Sequence, residues 1–167
     1  MKVLTLIRHA KSSWKHPETR DIDRPLNKRG KQDAPLMGVR LGIRKLRPDL
    51  IVTSPAKRAM TTAVAIAEAV DYPVAQIHTD ERIYEAWVDD LWSVIRDVPD
   101  SHQRIYIIGH NPGLNLLAES ITGEDMDQFP TCGVVHLELE LDSWKAVGDN
   151  TARLVFFDYP KSTGVPS

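Results

Sequence analysis

The sequence predicts an α/β fold, a three-layer α/β/α sandwich around a mostly parallel central sheet. Two observations carry this. Short apolar runs alternate four times with amphipathic segments at helical spacing, the pattern of βα units whose strands are covered on both faces. Two of those runs stop abruptly at polar, chemically capable residues, where sheets of this kind gather their working groups. The 167 residues suit one compact domain, expected over 1–160 with a loose tail at 161–167, and 42% apolar content suffices for a full core.

The elements follow in order. Val3 to Ile7 is a continuous apolar strand that ends at Arg8-His9. Lys11 to Pro25 is polar and irregular. Asn27 is placed to cap a helix reaching about Leu46, with Pro35 predicting a kink or a late start. Leu50 to Val52 is a second strand. Ser54-Pro55 supplies a cap and a first-turn proline for a helix that aligns Ala59, Ala63, Ile66, Ala67 and Val70 on one face. Pro73 to His78 reads as a third strand and Trp87 to Val98 as a helix. Arg104 to Ile108 is a fourth strand, ending at Gly109-His110-Asn111-Pro112. Leu114, Leu117, Ala118 and Ile121 then mark a helix stopped by Gly123. Two further strands, Val134 to Leu141 and Arg153 to Phe157, close the chain.

Composition narrows the function. A formal net charge of -2 argues against nucleic-acid binding as the main task. Cys132 is the only cysteine, so no internal disulfide forms and no oxidising compartment is required. The first apolar run is too short for a signal-peptide core or a membrane span, which makes a cytoplasmic setting the expectation.

The chemistry lies in Arg8, His9, Arg58 and His110. A neutral histidine attacks phosphorus, and two arginines can spread over phosphoryl oxygens while charge develops on them. His110 can donate a hydrogen bond to the transferring group, and Glu85, just past the third strand, is the rim carboxylate placed to protonate a leaving group. Arg8-His9 taken alone also reads as a strand end with a salt bridge, and Glu85 as an ordinary surface carboxylate.

Leu6-Ile7-Arg8-His9-Ala10-Lys11-Ser12-Ser13-Trp14 resembles the RHG signature of the histidine phosphatase superfamily, also called phosphoglycerate mutase-like. Three more stretches match in order: Pro25-Leu26-Asn27-Lys28-Arg29-Gly30, Ser54 to Ala63, and Gly109-His110-Asn111-Pro112. The small size is similar to the SixA-type phosphohistidine phosphatase branch. The resemblance implies that His9 is phosphorylated while Arg8, Arg58 and His110 bind the phosphoryl group, with no metal or other cofactor. It also makes Glu85 similar to the family's acid/base glutamate. Lys11, Ser13 and Asn111, within the same motifs, complete the expected substrate-binding set. Ala10 stands where the signature has glycine, and Lys11 where many relatives are acidic.

Mutases of this superfamily roof the site with a long insertion, and here only Thr79 to Gln103 is available, so no large cap is expected. An open site suits phosphohistidine on a protein better than an enclosed metabolite. The basic residues Lys11, Lys15, Arg20 and Arg24 would guide an acidic partner, with Trp14 packing against it. The partner is therefore expected to be a phosphorylated protein or a phosphorylated small molecule, with no nucleic acid and no membrane. The alternatives are a small-molecule phosphomonoesterase and a phosphate- or phosphoprotein-binding module without turnover.

The remaining candidates read as structural. A cysteine-based phosphatase needs an arginine six positions after its nucleophile, and Glu138 stands there, so Cys132 reads as a buried small hydrophobe. His16, His78, His102 and His136 show no metal-ligand spacing, and His136 reads as part of a polar strand face. Gly109 to Gly113 lacks the lysine of a Walker loop. Lys28-Arg29-Gly30-Lys31 reads as a solvated helix start.

Overall fold

The computed structural model describes residues 1–162. Its centre is a six-stranded sheet formed by β1 (Lys2–Arg8), β2 (Leu50–Thr53), β3 (His78–Thr79), β4 (Arg104–Gly109), β5 (Val134–Leu139) and β6 (Arg153–Asp158), in the order β3-β2-β4-β1-β5-β6. The first four strands run parallel; β5 lies antiparallel to β1, and β6 antiparallel to β5. Four helices flank it: α1 (Lys28–Ile43), α2 (Lys57–Ala69), α3 (Val88–Arg96) and α4 (Gly113–Thr122).

Strand alternation divides the core between the two faces. Leu4, Leu6, Ile105 and Ile107 point toward Leu91 and Ile95 of α3 and Leu114 and Leu117 of α4. Ile7, Tyr106 and Ile108 point the other way, toward Met37 and Leu41 of α1 and Ala63 and Ile66 of α2. Each fully buried leucine or isoleucine contributes about 1.5–3 kcal/mol relative to exposure, so the central strands are fixed from both sides. The expected three-layer architecture is present.

Several element boundaries depart from expectation. The α1 helix starts directly after Asn27, whose side chain accepts the Gly30 N–H at 2.8 Å, and it runs on through Pro35 to Ile43. Pro35 is tolerated because it lies on the exposed face, where the carbonyl left without a donor can bond water. The cap of α2 is Ala56, not Ser54, and Pro55 lies outside the helix. The third strand shrinks to His78–Thr79, because Pro73 begins a 3-10 turn at Val74–Gln76 that removes those residues from the sheet. Gly123 ends α4 in the left-handed region with φ of 75°, as expected. Of the expected tail at 161–167, residues 163–167 fall outside the described residues; Ser162 is anchored, its hydroxyl accepting from Arg40 at 3.2 Å.

The topology also fixes where a site forms. The chain leaving β1 enters α1 on one face, while the chain leaving its neighbour β4 enters α4 on the opposite face. The carboxyl ends of these adjacent strands therefore open a crevice at a switch point.

Candidate active site

Strand register brings the two histidines together. Arg8 pairs with Gly109, and the His9 N–H donates to the Gly109 carbonyl at 3.0 Å, so His9 and His110 leave adjacent strands side by side. Their ring centroids are 5.1 Å apart. His9 is 7% exposed, and its Nδ1 donates to the Ala10 carbonyl at 2.7 Å. A carbonyl only accepts, so Nδ1 carries the hydrogen and Nε2 keeps its lone pair. Burial, with Arg58 and Arg8 adding to it against the Ala10 bond, pulls the His9 pKa down to about 4. The imidazole is neutral at ordinary pH.

The loop after β1 is held by α1. Lys11 accepts the Asn27 N–H at 3.0 Å and the Ser13 N–H donates to Pro25 at 2.8 Å. A Cβ on Gly30 would stand 2.2 Å from the Lys11 carbonyl oxygen, so only glycine permits this approach. Gly30 is thus buried and works against the loop, not a residue of a solvated helix start. Ala10 is fully buried, its backbone outside the left-handed region, and its N–H donates to the Thr62 hydroxyl at 2.9 Å. The extra methyl therefore costs no strain here.

Arg8, His9, Arg58 and His110 line a depression of about 400 Å³ together with Lys11, Ser12, Trp14, Arg24, Tyr84, Glu85, Asn111 and Thr131. Arg8 Nη1 donates to the Phe129 carbonyl at 3.0 Å, and burial lowers its pKa. The guanidinium of Arg58 is held through both Nη atoms by Asp21. His110 Nε2 meets the Ser54 hydroxyl at 2.8 Å, and burial with the neighbouring His9 lowers its pKa to about 3. Ser54 can accept the Ala56 N–H and donate to Nε2, an arrangement that leaves His110 Nδ1 as a donor. Among the described residues, four buried side-chain atoms have no hydrogen-bond partner within the protein, and three of them are Arg8 Nε, Arg58 Nε and His110 Nδ1. Buried donors are normally satisfied, so three unsatisfied ones in one crevice mark a place for an oxyanion.

A model of the histidine phosphatase superfamily (branch 1) matches residues 4–91. The chain belongs to the histidine phosphatase superfamily. A Mycobacterium tuberculosis protein of uncharacterised function is 32% identical over 93% of this chain and the whole of its own length. The structure of a candidate phosphohistidine phosphatase, SixA from Agrobacterium tumefaciens, superposes with a TM-score of 0.82 at 30% identity, over 95% of this chain and 98% of that one. The protein histidine phosphatase SixA complexed with tungstate shares the fold, with a TM-score of 0.81 at 17% identity over 95% and 97% of the two chains.

In this member of the superfamily the crevice unites most of the sequence-predicted residues. His9, Arg8, Arg58, His110, Lys11, Asn111 and Glu85 all line it, but Ser13 does not. The Ser13 hydroxyl accepts the Lys15 N–H at 3.1 Å; Ser12 lines the site in its place and accepts from Arg24 Nη1 at 2.7 Å. Asn111 is spent on structure, donating to the Phe129 carbonyl at 2.9 Å and accepting the Asn115 N–H at 3.2 Å. Glu85 is exposed and sits in the left-handed region with φ of 56°. A non-glycine residue there is strained, which the close packing of Gly113 against the adjoining Ala86 carbonyl supports.

Three participants escaped sequence reasoning. Asp21 accepts from Arg58, from Arg24 at 3.1 Å and from the Tyr84 hydroxyl at 2.6 Å, and these bonds, Tyr84 first, bring its pKa down to about 2. Tyr84 rises to about 12 through burial and its bond to Asp21. Ser54 has the sequence signature of a helix cap, yet its hydroxyl meets His110. Arg24 is no free surface cation either: it is 7% exposed and stacks 3.5 Å from the centre of the Trp14 ring. Cys132 is fully buried with its thiol raised to about 12, as a small hydrophobe should be. His136 is buried, not part of a polar face: Thr5 bonds its Nδ1 at 2.8 Å and Phe156 stacks on its ring. Among the described residues, no group of three or more His, Cys, Asp or Glu is arranged to hold a metal ion, and no helix is long and apolar enough to cross a membrane.

Proposed function

We propose that this phosphatase removes phosphoryl groups from phosphohistidine in proteins, by way of a phosphohistidine on its own His9. The observation that carries the reading is the pairing of a neutral, oriented Nε2 with three unsatisfied donors in one crevice. In the first step His9 Nε2 bonds to phosphorus as the bond from phosphorus to the substrate's imidazole nitrogen breaks. The departing nitrogen takes a proton at the rim, where Glu85 is placed to supply it. In the second step water attacks the phosphorus of phospho-His9 and gives its proton to the Glu85 carboxylate. The bond to Nε2 breaks, phosphate leaves, and His9 is neutral again. Arg8 and Arg58 supply the positive charge that the transferring group demands, so the reaction as written uses no metal.

The open rim supports a protein substrate. The segment between β3 and β4 forms a 3-10 turn at Glu81–Ile83 and then α3, which packs on the core through Leu91 and Ile95 and so covers the sheet, not the crevice. Trp14 is 75% exposed at the mouth. An exposed tryptophan beside a site is a contact for a large partner. The test compares phosphate release from a phosphohistidine protein with release from a panel of sugar, nucleotide and glycerate phosphates. Preference for the phosphohistidine protein is expected. A preference of several orders of magnitude for one metabolite would overturn the substrate assignment.

A further inference from the structure

The depression at the active site continues into a second one. Lys11 and Thr131 border both, and beyond them a groove of about 330 Å³ runs between Arg29 at the start of α1 and the segment Tyr159 to Lys161 after β6. The far wall is built firmly. Arg40 donates to the Tyr159 carbonyl at 2.9 Å and the Pro160 carbonyl at 3.1 Å, and pairs with Asp158 at 3.3 Å. The charge of this groove is positive. Its one carboxylate, Asp33, is engaged by Arg29 at 3.2 Å, while Lys11 and Lys161 are both exposed and neither is ion-paired among the described residues. No step of the proposed reaction uses Arg29 or Lys161.

We infer that this groove is a docking track for an acidic polypeptide segment flanking the phosphorylated histidine, with Lys11 and Lys161 as its paired cationic contacts. The inference rests on the phosphohistidine reading above and names the chemistry of the partner beside the scissile group. Two ammonium groups without an ion pair among the described residues, along a groove continuous with the site, favour carboxylates laid in extended chain. A groove that joins the active-site depression at Lys11 and Thr131 accepts a polypeptide lying across both, whereas a small phosphomonoester fills only the first depression.

The experiment uses the full chain and three probes: an aryl phosphate, a phosphohistidine peptide flanked by glutamines, and matching peptides with glutamates on the N-terminal or the C-terminal side. Wild type should show a KM about three- to tenfold lower for one glutamate peptide than for the glutamine peptide, and added salt should erase the difference. Lys161→Glu should abolish the preference, Lys161→Arg should retain it, and both should hydrolyse the aryl phosphate as wild type does. Equal KM for all peptides, or a preference untouched by Lys161→Glu, would overturn the docking track and leave the phosphohistidine reading standing. Failure to hydrolyse any phosphohistidine peptide while the aryl phosphate turns over would instead overturn that reading.

Discussion

Asp21 grips Arg58 at two points: its backbone carbonyl accepts from Nη1 at 2.6 Å and its carboxylate from Nη2 at 3.0 Å. The grip leaves Nε of a buried arginine without a partner. An aspartate beside a phosphoryl site looks unfavourable, since it adds negative charge where an anion must bind. Its benefit is geometric: it fixes a guanidinium that would otherwise sample many rotamers.

Asp21→Asn should therefore lower kcat/KM about tenfold through a misplaced Arg58, the scale of one charge-assisted hydrogen bond. Its stability should barely change, because the carboxylate is half exposed. Steady-state kinetics and a melting curve on the same sample check both parts, and unchanged kcat/KM would show that Arg58 needs no such anchor.

The buried histidines make the fold sensitive to acid. His9, His110 and His136 are held to about 4, 3 and 4, below the ordinary value of 6.5. The unfolded chain therefore binds protons between pH 6.5 and pH 4 that the folded chain refuses, so stability is full above 6.5 and falls as pH drops below it. Melting temperature should decline steadily from pH 7 to pH 5, and His136→Phe should flatten the decline without touching the crevice. The acid limb of kcat/KM should meanwhile lie near pH 4, where His9 gains its proton, and not near 6.5.

Glu85→Gln separates substrates by their leaving groups. An alkyl ester oxygen demands a proton as it departs and an imidazole nitrogen demands less, so the substitution should slow alkyl phosphate hydrolysis about 10²–10⁴-fold and phosphohistidine hydrolysis much less. Equal slowing of both would remove Glu85 from proton transfer.

Gly30→Ala tests the contact between α1 and the loop that carries Lys11. The new methyl meets backbone at 2.2 Å, so the loop or the helix has to shift, at a cost of about 1–3 kcal/mol. Lower stability together with a reduced kcat is expected, because His9 and the loop are one continuous segment. A melting temperature equal to wild type would mean that the loop yields freely.

The sequence made the site legible where one local pattern specified one position. A strand that stops at Arg8-His9, a strand that stops at Gly109-His110 and a first-turn Arg58 had only to share a rim, and the parallel sheet places them there. What stayed hidden depends on contacts distant in sequence. Asp21 meets Tyr84 and Arg58 only after folding, and nothing in the irregular stretch from Lys11 to Pro25 marks it. Ser54 misled because a serine before a proline has the signature of a cap, while its hydroxyl is turned to His110. The choice between Ser12 and Ser13 was set by the single bridge of Ser12 to Leu26, a tertiary pairing that composition does not announce. The third strand is shorter than its sequence predicts because apolar residues before an edge strand look alike in a strand and in a 3-10 turn.

The most direct test of the account is to trap the phosphoenzyme. With a labelled phosphoryl donor and rapid quenching, wild type should carry acid-labile, base-stable phosphate on Nε2 of His9, identifiable by fragmentation and by phosphorus NMR, and His9→Ala should carry none. Label on another residue, on Nδ1 of His9, or equal turnover by wild type and His9→Ala would contradict it.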